Sequence, residues 1–234
     1  MAVRPEPIRE PGTRAPRPRD AATLIIYRER KGQIEVLMGR RHRKHKFLPQ
    51  RFVFPGGAVD PTDSRVRPAT PIREDVQELL QRRARASRVP GLVAAAIRET
   101  FEEAGLIIGK PDPEPGRSVP KNWRPFFETG MAPAFGDLDY IARAVTPHWR
   151  PIRFNARFFM VDAKNVSGDL TSNGELLDLT YFPLAETADL ELPLITTRVL
   201  EIVEENARNP VPPGSDRKAI LFQHNGKFHD MIPE

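Results

Sequence analysis

Three acids lie within five residues of this chain. In Arg98-Glu99-Thr100-Phe101-Glu102-Glu103-Ala104-Gly105-Leu106, Glu99, Glu102 and Glu103 stand at i, i+3 and i+4. At about 100° per residue they share one helical face. Val93, Ile97, Thr100 and Ala104 fall on the opposite side and predict a core-facing stripe. Exposed like charges at this spacing repel by roughly a few tenths of a kcal/mol per pair. A hard divalent cation turns that repulsion into binding, because Mg²⁺ prefers carboxylate oxygens and keeps several of its waters. The competing explanation is a solvated acidic face. Two neighbours weigh against it. Gly105 suits a helix C-cap, and Phe54-Pro55-Gly56-Gly57 ends a strand with backbone that can approach a ligand or metal closely.

The elements that must position these residues are legible in the surrounding pattern. Residues 23–27 and 34–38 are rich in strand formers and are joined by Lys31-Gly32, which predicts a hairpin. Residues 40–46 are all basic or His, and 52–54 predict a short strand. Residues 61–90 differ in composition, with many arginines and several prolines, and read as an insertion with a helix around 74–86. The stretch 64–88 is expected to form a surface excursion that a short linker could replace. A helix is predicted over 91–104 and a loop over 111–120. Strands follow at 141–145 and 157–161, the latter with Phe158 and Met160 opposite Phe159 and Val161. After the Asn173-Gly174 turn come a strand at 176–182 and a helix at 196–207 with Val199, Ile202 and Val203 on one stripe. Segments 219–224 and 227–232 flank Asn225-Gly226, the strongest hairpin signature in the chain.

Composition bounds the answer further. The chain has 234 residues, 39% of them hydrophobic and 29% charged, enough for a sizeable core. Residues 1–20 alternate Arg, Pro and acids, predicting a disordered or surface-draped tail before a single domain over 21–234. With no cysteine, disulfide frameworks, thiolate zinc sites, iron–sulfur clusters and cysteine nucleophiles are excluded. No apolar run approaches the ~18–20 residues that cross a bilayer, and no apolar leader follows the N-terminal arginines. A cytoplasmic protein without membrane contact is expected. The net charge of +5 suits anionic ligands without demanding nucleic acid, which is not expected as a partner. No P-loop, nucleophile elbow or HExxH zinc spacing is present.

Taken together, Gly57 and the 98–106 run resemble the Nudix box, G-x5-E-x7-R-E-U-x-E-E-x-G-U with U aliphatic. Gly57 matches the first glycine, and Arg98, Glu99, Glu102, Glu103, Gly105 and Leu106 match the second half. Thr100 replaces an aliphatic residue. The first glutamate falls on Asp63 counting from Gly57, or on Pro90 counting back from Arg98. Between Asp63 and Arg98 lie 34 residues where the family has seven, an insertion of 27. This interruption is similar to the coenzyme A diphosphatase branch. Counting back from Phe54 through that branch's signature, Arg41 fits the first arginine, Lys46 stands at the second and Gln50 at a glycine.

The resemblance implies an α/β Nudix fold, a mixed β-sheet sandwiched between helices. It implies Mg²⁺- or Mn²⁺-dependent hydrolysis of a diphosphate linkage in a nucleoside diphosphate linked to another moiety, with coenzyme A or acyl-coenzyme A as candidates. Gly57, Glu99, Glu102 and Glu103 would hold metal, and Arg98 would orient a glutamate. Glu99 or Glu175, with Asp178 as competitor, would accept the proton from water. Arg41 and Lys46 would meet phosphate. A homodimer is common in the family. The alternatives are a Nudix-like module that binds nucleotide or RNA without turnover, and a hydrolase of capped RNA.

Overall fold

The first hairpin forms as β1 (Arg19–Arg30) and β2 (Gln33–Arg41). Lys31 and Gly32 both take positive φ, 53° and 75°, as a two-residue primed turn requires. A computed structural model of the chain describes residues 8–10, 12–45, 47–112, 118–212, 214–215, 218–224 and 229–233. Lys46 and the Asn225-Gly226 turn lie outside the described residues. Short strands β3 (Phe52–Val53) and β4 (Gly56–Ala58) precede helices α1 (Glu74–Gln81) and α2 (Val89–Ala104). Then come β5 (Gly109–Pro111), α3 (Arg124–Phe127), β6 (Met131–Pro133), β7 (Asp139–Val145) and β8 (Phe154–Asp162). The chain ends with β9 (Leu176–Pro183), α4 (Leu194–Arg208), β10 (Ile220–His224) and β11 (His229–Pro233).

One mixed sheet joins nine of these strands in the order β11-β10-β7-β8-β1-β2-β3, with β4 pairing β1 and β9 pairing β2, while β5 and β6 pair separately. β1 and β8 run parallel at its centre, Arg19 beside Phe154 through Tyr27 beside Asp162. Alternation along these strands separates two cores. Ala22, Leu24, Ile26, Phe159 and Val161 pack with α2 on one face. Ile25, Phe158 and Met160 pack with Val199 and Val203 of α4 on the other. The expected α/β arrangement, a mixed sheet between helices, is therefore what the chain forms.

Three expectations change in detail. β1 starts at Arg19 rather than 21, and two described residues before it are tied to the domain: Arg9 N–H donates to Trp149 O at 2.7 Å and Arg153 Nη1 to Pro16 O at 2.9 Å. α1 ends at Gln81, short of 86. The inserted stretch is not a surface excursion. Val66, Val76, Leu79 and Leu80 are buried in the same core as Leu92 and Trp123. Val76, Leu79 and Leu80 stand at i, i+3 and i+4, so one face of α1 is apolar although arginines dominate the composition around it.

Candidate active site

α2 begins with Pro90 in its first turn, where a missing N–H is harmless, and ends at Gly105 with φ 69°. A Cβ at Gly105 would collide with Thr171 Oγ1 and Asp169 O, and Thr171 N–H donates to Ala104 O at 2.9 Å. The helix terminus is thus fastened to the loop that leads to Glu175. Thr100, buried where the family carries an aliphatic residue, donates its hydroxyl to Ala96 O at 2.8 Å and leaves no polar atom unpaired.

Arg98 joins the separated parts of the box. It is 6% exposed, and its Nε and Nη2 donate to Asp63 Oδ1 and Oδ2 at 2.9 and 3.1 Å. Nη2 also donates to Ala58 O at 3.1 Å. Nη1 lies 2.8 Å from Glu99 Oε1 and 3.1 Å from Glu102 Oε2. Burial alone would lower this guanidinium's pKa, but the Asp63 hydrogen bond and the surrounding carboxylates hold it well above its ordinary value. Asp63 is fully buried and accepts further bonds from Trp123 Nε1–H at 2.9 Å and Asp60 N–H at 2.8 Å. Of the two counts, the one from Gly57 finds the acid that meets Arg98. Nothing local in the sequence points to Trp123 as its partner.

A cavity of about 310 Å³ opens beside β4. Glu99, Glu103, Glu175, Arg41 and Gly57 are among the residues that line it. A Cβ at Gly57 would strike the Glu99 carboxylate, so only glycine permits this approach. Glu103 Oε2 accepts from Gly56 N–H at 2.9 Å. Glu102 is held by Arg98 and is not among the lining residues. Glu175 follows an Asx turn, its N–H donating to Asn173 Oδ1 at 2.9 Å, and its carbonyl accepts from His42 N–H at 2.9 Å. Asp178 sits away from the cavity with φ 53° and receives Arg40 Nε and Nη2 at 2.9 and 2.6 Å. Arg41 Nη1 lies 3.1 Å from His45 Nδ1, while its buried Nε has no partner among the described residues. Gln50, at the coenzyme A signature's glycine, keeps the left-handed turn with φ 62°.

The electrostatics are those of acids short of counter-charge. Burial pushes Glu99 up to about 7, against the pull of Arg98. Burial likewise pushes Glu103 up to about 8, with Glu99 and Glu175 adding to the rise and Gly56 and Arg41 opposing it. Glu102 is raised by burial as well. Arg41 is lowered by burial despite Glu103, Glu175 and Glu99. Perturbed carboxylates clustered in a cleft mark a functional site. Among the described residues no three His, Cys, Asp or Glu side chains converge as a closed metal cage. The donor set instead suits a hard divalent cation held by one or two carboxylates, with waters and substrate phosphates completing its shell.

Comparison with known proteins gives the family of the chain. The sequence pattern of the NUDIX domain family matches residues 17–201. A NUDIX hydrolase from Alicyclobacillus acidocaldarius, known as a crystal structure, is 26% identical with a TM-score of 0.63, covering 85% of this chain and 99% of that one. The acyl-coenzyme A diphosphatase NUDT19 of Xenopus laevis is 33% identical over 99 residues, 33% of this chain. That match spans about a quarter of the Xenopus protein's length, 26%.

Proposed function

The chain belongs to the NUDIX domain family, and from that premise we propose that it hydrolyses the diphosphate linkage of a nucleoside diphosphate bearing a second moiety, using Mg²⁺ or Mn²⁺. The observation that carries this reading is the cavity lined by Gly57, Glu99, Glu103, Arg41 and Glu175, with Glu103 bonded to the Gly56 N–H. Glu99, Glu103 and the Gly57 carbonyl would hold the metal, with Glu102 at the margin. When bound, that ion neutralises phosphate charge and acidifies a water. Arg98, anchored on Asp63, orients Glu99 and Glu102. Arg41, which lines the cavity, would offer its guanidinium to a phosphate oxygen.

Glu175 and Glu99 are the groups positioned to take a proton from the attacking water. Glu175 lines the cavity, whereas the Asp178 carboxylate is occupied by Arg40. Coenzyme A and acyl-coenzyme A are the leading substrates. The partial likeness to the Xenopus diphosphatase, the match at Arg41 and the turn retained at Gln50 support them.

A substrate panel tests the reading: coenzyme A, acyl-coenzyme A, ADP-ribose, NADH, diadenosine polyphosphates and capped RNA, each with Mg²⁺ or Mn²⁺. Products identified by mass fix the bond cleaved. Absence of turnover across the panel would refute the diphosphatase reading. If Glu175 is the base, Glu175→Gln lowers kcat by roughly 10²–10⁴-fold while Asp178→Asn stays active. The reverse pattern would reassign the role.

A further inference from the structure

Away from its carboxylates the cavity has a regular floor. Ala58 of β4 pairs with Ala21 of β1, Ala21 with Ala156 of β8, and Ala156 with Ala144 of β7. All four alanines line the cavity, forming one row perpendicular to four adjacent strands. With strands about 4.8 Å apart, the row runs roughly 14 Å, starting beside Gly57 and Glu99. Larger residues of the neighbouring rows wall it on both sides. Thr23 and Phe158 stand in register on one side, Arg19 and Phe154 on the other. These four also line the cavity, and Ile195 and Thr196 of α4 close over it.

The floor of this trough is chemically uniform, and Arg19 and Thr23 are the polar residues of its walls. Its floor presents methyl groups, and the backbone N–H and C=O groups beneath them are engaged in the β1–β8 and β7–β8 ladders. A nucleobase laid here would bury donors and acceptors with no partners on the floor, an unfavourable exchange. An unbranched aliphatic chain has no such groups to lose and can lie along the row, with Phe154 and Phe158 flanking Ala156. We propose that the alanine row is a groove for an extended aliphatic chain, carried by the moiety attached to the diphosphate. This proposal rests on the diphosphatase reading only for which end the phosphates occupy.

The probe is a series of ADP esters whose β-phosphate carries a methyl, butyl or octyl group. Turnover is followed with Mg²⁺, and the non-hydrolysable α,β-methylene analogues are titrated separately by calorimetry. Each methylene taken from water is worth up to about a fourfold gain in affinity. The expected result is at least a roughly tenfold tighter Kd from methyl to octyl, with an increasingly negative heat capacity of binding. Ala156→Leu should flatten this dependence by filling the middle of the row. Ala144→Val serves where the larger substitution does not fold. Affinity independent of chain length in the native protein, or a gain that persists in a folded variant, would overturn the groove. Chain-dependent binding without turnover of any ester would uphold the groove and refute the diphosphatase reading. Turnover with chain-independent binding would do the opposite.

Discussion

Asp63 and Glu103 are both buried carboxylates, 0% and 5% exposed, yet their surroundings differ in kind. Asp63 is surrounded by donors: two from Arg98, one from Trp123 and one from the Asp60 backbone. Glu103 has the Gly56 N–H, the more distant field of Arg41, and two acids nearby. A carboxylate whose lone pairs are filled by the protein builds architecture. One left short of donors is ready for something the protein does not itself supply. The same contrast separates the two halves of the box, one a junction and the other the proposed reactive surface.

The most severe way to break the comparison is to remove what delivers Asp63. Replacing 64–88 by a short linker deletes Val66, Val76, Leu79 and Leu80 from the core. At roughly 2–5 kcal/mol per large buried side chain, this approaches or exceeds the ~5–15 kcal/mol that holds a domain together. Circular dichroism should show no cooperative melt, and a folded, monodisperse product would contradict the burial argument.

A smaller and sharper test uses opposite signs. Asp63→Asn strips the charge from the two hydrogen bonds that Arg98 Nε and Nη2 make, leaving Arg98 only Glu99 and Glu102 as carboxylate partners, and should cost about 1–3 kcal/mol in denaturant unfolding. Glu103→Gln removes a destabilising charge, so the metal-free protein should unfold at higher denaturant at pH 8. Activity nevertheless should fall at least roughly 100-fold, because a ligand charge is lost. Destabilisation in both variants would erase the distinction.

Titration should report the same difference. Glu99 and Glu103 have folded values near 7 and 8, above the ordinary carboxylate range. Their contribution to stability is therefore complete below about pH 4.5 and is lost as pH rises through 7 to 8. The metal-free denaturation midpoint should decline across that window. Added Mg²⁺ should restore it far more at pH 8.5 than at pH 5.5, and a midpoint flat from pH 5 to pH 8.5 would contradict the raised values.

The smallest expected effect is at Gln50, a side chain held at φ 62° in the loop before β3. Gln50→Gly should stabilise by about 0.5–1 kcal/mol by relieving left-handed backbone strain. A loss of stability would show that the Gln side chain contributes more than its conformation costs.

Legibility in the sequence followed the range of the interactions. α2, its acidic face and its C-cap were readable because helix periodicity and the Gly105 stop are local. The alternation of Phe158 to Val161 announced its two faces for the same reason. The burial of α1 left a trace at 76, 79 and 80, masked by the arginines around it. No local pattern announces that Trp123 reaches Asp63 sixty positions away, or that four alanines on four strands fall into register. Those facts belong to strand order and pairing, which hydrophobic periodicity does not encode.

The fastening at the end of α2 has a mechanical consequence. Gly105 abuts Asp169 and Thr171, Thr171 N–H holds Ala104 O, and Ile107 exchanges backbone bonds with Ser167. Glu103 and Glu175 thus stand on the two arms of a single bracket. The backbone separation of those two arms is set by these bonds, at a fastening that lies outside the cavity.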